Sequence, residues 1–180
     1  NNLGTAYKEL GKISESIDTY KRILEIDPDH TNANYNLGLA FIILRDLKKA
    51  KAHLKKTTEI QKNYAIAFYS LGNVHYELKE LTEALSCYQK ALEINPNIVG
   101  LHNNLGLLYR DLNDFDNAIN CYESAIKIKP EYANAHHNLA ELYREKGDFN
   151  NSIKSLKNAI ECEPQNLMSY NFLCEIKKDE

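Results

Sequence analysis

Histidines and cysteines are the side chains of this 180-residue chain whose types are most typical of zinc sites. His102 and His136 lie 34 residues apart, and His137 adjoins the second, so a regular fold could bring these rings together. Zinc sites, however, draw several His or Cys ligands from closely spaced positions. No HxxxH pair and no cysteine cluster completes such a set. We therefore predict no metal site and no cofactor.

The four cysteines could also act as nucleophiles if a neighbouring base lowered the pKa of a thiol. Cys87 and Cys121 are 34 residues apart, and the sequence identifies no base and orienting group beside either of them. We interpret both as small buried apolar groups. Since Cys162 and Cys174 form no CxxC pair either, we expect reduced thiols and a cytoplasmic protein that is not an enzyme by itself.

Composition and charge restrict the partners further. A formal net charge of −3 provides no positive field for nucleic acid or anionic lipid. A basic run from Arg45 to Lys62 could meet an anionic partner, but no aromatic stacking platform accompanies it, so we interpret it as a solvated helix face. No apolar run approaches the roughly 20 residues of a membrane helix. We expect neither a nucleic acid nor a membrane partner.

A period of 34 residues dominates the sequence. Three columns share it in one register, which predicts stacked helical hairpins. They are a glycine column (Gly4, Gly38, Gly72, Gly106, Ala140), a small-residue column (Ser16, Ala50, Ala84, Ala118, Ser152) and a mostly proline column (Pro28, Lys62, Pro96, Pro130, Pro164).

Apolar residues within each period follow helical spacing. Leu101, Leu105, Leu108 and Leu112 recur at steps of three and four residues, as on one face of a helix. Asn113 then begins a turn, because asparagine tolerates the left-handed conformation that closes helices; Gly11 and Gly147 occupy the equivalent position. Small residues in the glycine column would let two helices approach closely. Large residues such as Tyr88 and Tyr122 are expected to fill the space between neighbouring hairpins.

These columns resemble the tetratricopeptide repeat over essentially the whole chain. The shared features are a small residue at place eight of the repeat, Ala at place twenty, an aromatic residue at place twenty-four and Pro at place thirty-two. The resemblance implies an all-α, right-handed superhelical solenoid of antiparallel helix pairs. Its predicted units are 1–30 (truncated at its start), 31–64, 65–98, 99–132, 133–166 and a final helix at 167–180. The second unit departs from the pattern at Thr57 and Lys62, so we expect a looser closing turn there.

The same resemblance implies that the first helix of each hairpin lines a concave face, through places two, five, six, nine, twelve and thirteen. Place six holds Asn2, Asn36, Ser70, Asn104 and Asn138. Asparagine both donates and accepts hydrogen bonds, so such a row could pair with the backbone of an extended peptide. This row resembles the asparagine ladder of O-linked N-acetylglucosamine transferase. The alternative is that these polar residues tie adjacent hairpins together or lie in a wet groove.

The other concave places divide into two predicted halves. The apolar half comprises Tyr35, Leu39, Ile42, Ile66, Tyr69 and Tyr76. The polar half comprises Asn103, Arg110, Asn134, His137, Glu141 and Arg144. We expect apolar anchoring of a peptide in the first half and polar recognition in the second, since exposed apolar surface commonly marks a binding site. Alternatively, the packing of the superhelix buries the apolar residues itself.

The predicted function is a protein-interaction scaffold that holds an extended peptide or partner segment. The carboxylate clamp of chaperone-binding members is not expected, because Tyr69, Asn134 and Asn138 stand where its cations belong. Two alternatives stay open: a substrate-recruiting arm of a larger enzyme, and self-association through exposed terminal repeats. Both depend on the expectation that the chain begins inside a helix and ends on an apolar edge at Phe172, Leu173 and Ile176.

Overall fold

The computed structural model describes residues 2–179, and the side chains of residues 2–176. This part of the chain contains eleven helices and no strand. The helices are α1 (Asn2–Glu9), α2 (Ile13–Ile26), α3 (Thr31–Ile43), α4 (Leu47–Ile60), α5 (Ala65–Glu77), α6 (Leu81–Ile94), α7 (Val99–Asp111), α8 (Phe115–Ile128), α9 (Ala133–Glu145), α10 (Phe149–Cys162) and α11 (Leu167–Asp179). Odd-numbered helices are the first helices of the hairpins, and the even-numbered ones are the second helices. The predicted all-α class of antiparallel helix pairs is confirmed.

A left-handed residue closes the first helix of every hairpin. Gly11 and Gly147 have φ values of 74° and 78°, and Asn113 has φ 58°. Arg45 and Lys79 adopt the same conformation, with φ 59° and 62°, although side chains of this kind disfavour it. The short turn that follows each of them reverses the chain into the second helix.

Glycines bring the two helices of a hairpin together. A Cβ atom on Gly72 would lie 2.5 Å from Cδ1 of Tyr88, which is fully buried. Ser16 supports the same approach, because its hydroxyl donates to the Gly4 carbonyl at 2.7 Å. The large residues expected between neighbouring hairpins thus also fill the space inside their own hairpin.

The chain forms two compact units, Asn1–Pro96 and Asn97–Glu180. In the first, a core that includes Leu37, Leu54 and Leu71 joins α2 to α5. In the second, Tyr122 and Leu142 anchor one cluster, and Leu156 packs with Ile176 in another. Within each unit the second helix of a hairpin packs against the first helix of the next.

Helix α4 ends with the same backbone hydrogen bond as the other second helices. Thr57 is fully buried, and its hydroxyl donates to the His53 carbonyl at 2.9 Å, which satisfies the polar group that replaces alanine. The Gln61 N–H donates to the Thr57 carbonyl at 2.9 Å, matching the equivalent bond from Asn95 to Ala91. In the turn itself the Tyr64 N–H donates to the Gln61 carbonyl at 3.3 Å, against 3.0 Å for the equivalent bond from Tyr132 to Lys129, so the looser closing turn expected from Thr57 and Lys62 stays a prediction.

Candidate functional site

The predicted binding residues lie on what we call the first-helix face: the side chains at places two, five, six, nine, twelve and thirteen of the odd-numbered helices. In the first unit this face is carried mainly by α3 and α5. The half-buried Tyr35 of α3 contacts α5, with its hydroxyl 3.5 Å from Oγ of Ser70. Its ring lies 5.1 Å from that of Tyr64. Burial raises the pKa of Tyr35, so its hydroxyl stays protonated and can donate.

The apolar half is partly packed and partly exposed. Tyr35 and Ile42 pack against the core of the first unit. Tyr69 and Tyr76 are half-buried, as is Leu39. Ile66 is 38% exposed, and the neighbouring Ile43 on the same face is 53% exposed. The unit therefore covers part of this surface itself and leaves two isoleucines in contact with solvent.

The row at place six in the first unit runs from exposed to buried. Asn2 is exposed, Asn36 is half-buried, and Ser70 retains only 7% of its surface. The Ser70 hydroxyl lies beside the Tyr35 hydroxyl, so this serine links two neighbouring hairpins. The other hairpins carry asparagine at the same place.

In the second unit, the two asparagines at place six, Asn104 and Asn138, are linked through Asn103 by side-chain hydrogen bonds. Asn138 donates to Oδ1 of Asn103 at 2.8 Å, and Asn103 in turn donates to Oδ1 of Asn104 at 3.2 Å. Asn103 is only 5% exposed, whereas Asn104 and Asn138 are half-buried. Asn138 thus ties its hairpin to the preceding one, the alternative function considered for this row.

An ionic cluster lies beyond these amides. Arg110 donates to Glu141 at 2.5 Å and to Glu145 at 2.6 Å. The buried His137 of α9 contacts α11, with Nδ1 3.0 Å from the Ser169 hydroxyl, and its Nε2 lies 3.4 Å from Glu141. Hydrogen bonds from His137 and Arg110 lower the pKa of Glu141 to about 2, so this carboxylate remains ionised at neutral pH.

The remaining polar-half residues lie at the edges of this cluster. Arg144 lies 3.9 Å from Glu175, and its guanidinium carbon lies 5.2 Å from the centre of the Phe172 ring. Asn134 is exposed. The structure therefore brings Arg110, His137 and Glu141 into direct contact and leaves Asn134 outside the cluster.

Sequence reasoning did not assign to the site two residues of α11 that complete this face, Phe172 and Glu175, or Ser169, which contacts His137. A signal for Phe172 exists in the spacing. Place five of one hairpin contacts place six of the next, 35 residues later, in Tyr35 with Ser70, Asn103 with Asn138, and His137 with Phe172, whose rings are 5.7 Å apart.

The histidines considered as metal ligands and the two cysteines spaced 34 residues apart are hydrogen-bonded or partly buried within the fold. Nε2 of His136 donates to the Pro130 carbonyl at 2.9 Å. Burial raises the pKa of the Cys87 and Cys121 thiols to about 11, so both are protonated and poorly nucleophilic. Across the described residues, no three His, Cys, Asp or Glu side chains gather as metal ligands. No helix within residues 2–179 has the length and apolar character that crossing a bilayer requires.

Family models match nearly the whole chain. Models described as tetratricopeptide repeat match residues 31–64, 65–98, 87–120 and 133–166. A further model, described as TPR repeat, matches residues 4–42 and 106–144. A search among curated proteins finds no match.

Solved structures of this family share the fold. MamA is 28% identical, with a TM-score of 0.84 over 92% of this chain and 97% of its own. YrrB, described as a TPR protein with an unusual peptide-binding site, is 22% identical, with a TM-score of 0.79 over 94% of this chain and 88% of its own. TTC0263, a thermophilic TPR protein from Thermus thermophilus, is 22% identical, with a TM-score of 0.76 over 97% and 95%. The chain belongs to the tetratricopeptide repeat family.

Proposed function

We propose that this chain is a protein-interaction scaffold whose first-helix face binds an extended peptide. The observation that best supports this proposal is the hydrogen bonding of Asn138. Its Nδ2 is fixed by the bond to Asn103, while its Oδ1 forms no hydrogen bond among the described residues and the side chain is half-buried. A fixed carbonyl oxygen can accept from a peptide N–H without further ordering of the side chain, and such preorganisation favours binding. Tying hairpins and binding peptide are therefore compatible for this residue.

The apolar half supports the same function. Ile43 and Ile66 are exposed on the face that also carries Asn36. Burying both isoleucines under a peptide side chain would contribute affinity, by less than the about 1.5–3 kcal/mol of a fully exposed aliphatic side chain because each is already partly covered. The peptide-binding site described for YrrB supports the class of ligand, and the row at place six keeps its resemblance to the asparagine ladder as part of the proposal.

Amide substitutions test the row directly. Nonapeptides selected from a displayed random library against the native chain, then labelled with fluorescein, serve as probes in anisotropy titrations. Combining Asn36→Ala, Asn104→Ala and Asn138→Ala should weaken binding by roughly tenfold or more, because each lost hydrogen bond costs about 0.5–1.5 kcal/mol. The matched control replaces three exposed asparagines outside the first helices: Asn63→Ala, Asn120→Ala and Asn150→Ala. Equal affinity of the two triple variants would refute peptide binding by the asparagine row.

A second comparison tests the division into halves. Ile43→Ser with Ile66→Ser should lower the affinity for the same peptides more than Arg144→Gln does, because the proposal places the apolar anchoring at these isoleucines. Both isoleucines are exposed, so their replacement leaves the core intact. Tyr35→Ala with Tyr69→Ala should have the same effect, with thermal unfolding measured alongside because both rings are half-buried. A larger effect of Arg144→Gln would contradict the proposed apolar anchoring.

A further inference from the structure

We infer that a pocket between α9 and α11 accepts one Lys or Arg side chain of the bound partner, an inference that rests on the proposed function and specifies its ligand. The pocket has a volume of about 350 Å³. Its lining combines an apolar wall with carboxylates: His137, Glu141, Met168, Asn171, Phe172 and Glu175. None of these was predicted as a binding residue from the sequence except His137 and Glu141.

The apolar wall suits the stem of a long cationic side chain. Met168 is 62% exposed, and the half-buried Phe172 ring lies beside it in the pocket lining. Lys and Arg bury their methylene stems on such surfaces while the charged group remains polar. The Arg144 guanidinium carbon lies 5.2 Å from the centre of the Phe172 ring, so the pocket wall is compatible with a neighbouring cation.

The charges around the pocket favour a cation over an anion. Ion pairs link Arg110 with Glu141 and Glu145, and Arg144 with Glu175. With His137 counted as neutral, these two cations and three carboxylates carry a formal charge of −1 (2 − 3). An incoming cation would balance it, whereas an acidic side chain would add to the repulsion.

Glu175 is the carboxylate positioned to receive the new cation. Its side chain is 61% exposed, and its contact with Arg144 is long, at 3.9 Å. Glu141, by contrast, is already bound by both Arg110 and His137. The cationic group of the partner would therefore lie against Glu175 at the pocket mouth, with Glu141 contributing negative potential from the opposite helix.

The sequence provides a specific reporter, because Met168 is its one methionine. In a chain labelled with ¹³C at the methionine methyl, a single resonance reports on the pocket. The probe is N-acetyl-arginine methylamide, and the neutral controls are the corresponding citrulline and norleucine compounds. We expect a saturable shift of the Met168 methyl signal with the arginine probe and little shift with citrulline. Equal shifts for arginine and citrulline would overturn the assignment.

Charge substitution supplies the second test. Glu175→Gln should weaken the apparent affinity of the arginine probe roughly two- to fivefold, as expected for an exposed ion pair worth up to about 1 kcal/mol. The matched control, Glu123→Gln, makes the same change in net charge at an exposed residue outside the pocket. Identical titrations of the two variants would exclude Glu175 as the binding carboxylate.

The two proposals fail in different ways. The small arginine probe needs no peptide backbone, so a Met168 shift in the absence of any nonapeptide binding would preserve the pocket and refute the scaffold function. A nonapeptide that binds by anisotropy and contains Lys or Arg, yet leaves the Met168 signal unmoved, would refute the pocket and preserve the scaffold.

Discussion

Gly106 lies directly beneath the ring of Tyr122, so that a Cβ atom on the glycine would stand 2.5 Å from Cε1 of the tyrosine. The ring is fully buried and cannot move aside without disturbing the hairpin. The same chain contains another solution at the equivalent positions, where Ala140 packs with Leu156 in a buried cluster. Glycine with tyrosine and alanine with leucine are therefore alternative fillings of one space.

Gly106→Ala should destabilise the protein by about 1–3 kcal/mol, the usual cost of overpacking a filled core. Adding Tyr122→Leu reproduces the Ala140 and Leu156 pair and should recover about 1–2 kcal/mol relative to the sum of the single effects. Urea denaturation of the two single variants and the double variant measures this coupling. Strictly additive effects would show that the two side chains do not compete for space.

Lys79→Gly should stabilise the protein by about 0.5–1 kcal/mol. Lys79 has φ 62°, and a non-glycine residue in this region costs about 1–2 kcal/mol, which exceeds the entropy that glycine gains in the unfolded chain. Thermal and urea unfolding would detect the gain. Lys157→Gly, at an exposed position inside α10, should instead destabilise by about 1 kcal/mol, and a loss of stability in both variants would contradict the strain at Lys79.

Asn103→Ala should destabilise the protein by about 1–2 kcal/mol. Asn103 is 5% exposed and accepts from Asn138, so its loss removes a part-buried hydrogen bond and leaves the half-buried Asn138 amide without that partner. Asn134→Ala is the same substitution at an exposed position of the next first helix and should change stability by no more than about 0.5 kcal/mol. Chemical denaturation that ranks the two variants equally would argue against a structural function for Asn103.

Glu141→Gln should cost about 1 kcal/mol at pH 7, and less as the pH falls. The folded pKa of about 2 lies below the unfolded value near 4.5, so ionised Glu141 stabilises the fold above pH 4.5 and loses that contribution towards pH 2. The magnitude is discounted because the side chain is 32% exposed. Urea titrations at pH 7, 4 and 3 measure the gap between the variant and the native chain. A gap that stays constant with pH would contradict the ion pair as its cause; Glu123→Gln is the control.

The fold class was accessible from the sequence because its determinants are periodic. Gly72 and Gly106 recur at fixed spacing, and Asn113 closes its helix with the left-handed conformation that its residue type tolerates. Arg45 and Lys79 carried no such signal, since their conformation is imposed by the turn and opposed by their side chains.

The candidate site was less accessible, because its contacts depend on how one hairpin seats against the next. Asn103 was expected to face a ligand, yet the structure buries its side chain. A contribution of Asn103 to binding remains a prediction. His137 is buried by Ser169 and Phe172 of α11. A single helix places a residue on a face, but which neighbour covers that residue depends on packing between helices.

The contacts that span 35 residues also make the hairpins of this chain unequal parts. Tyr35 lies opposite a small hydroxyl residue, Asn103 lies opposite an amide, and His137 lies beside an aromatic ring. A gene rearrangement that moved the hairpin of α3 and α4 to precede that of α9 would set Tyr35 against Asn138. Recombination among these repeats would thus preserve the helices but replace the contacts between place five of one hairpin and place six of the next. The order of the hairpins therefore matters for how they pack.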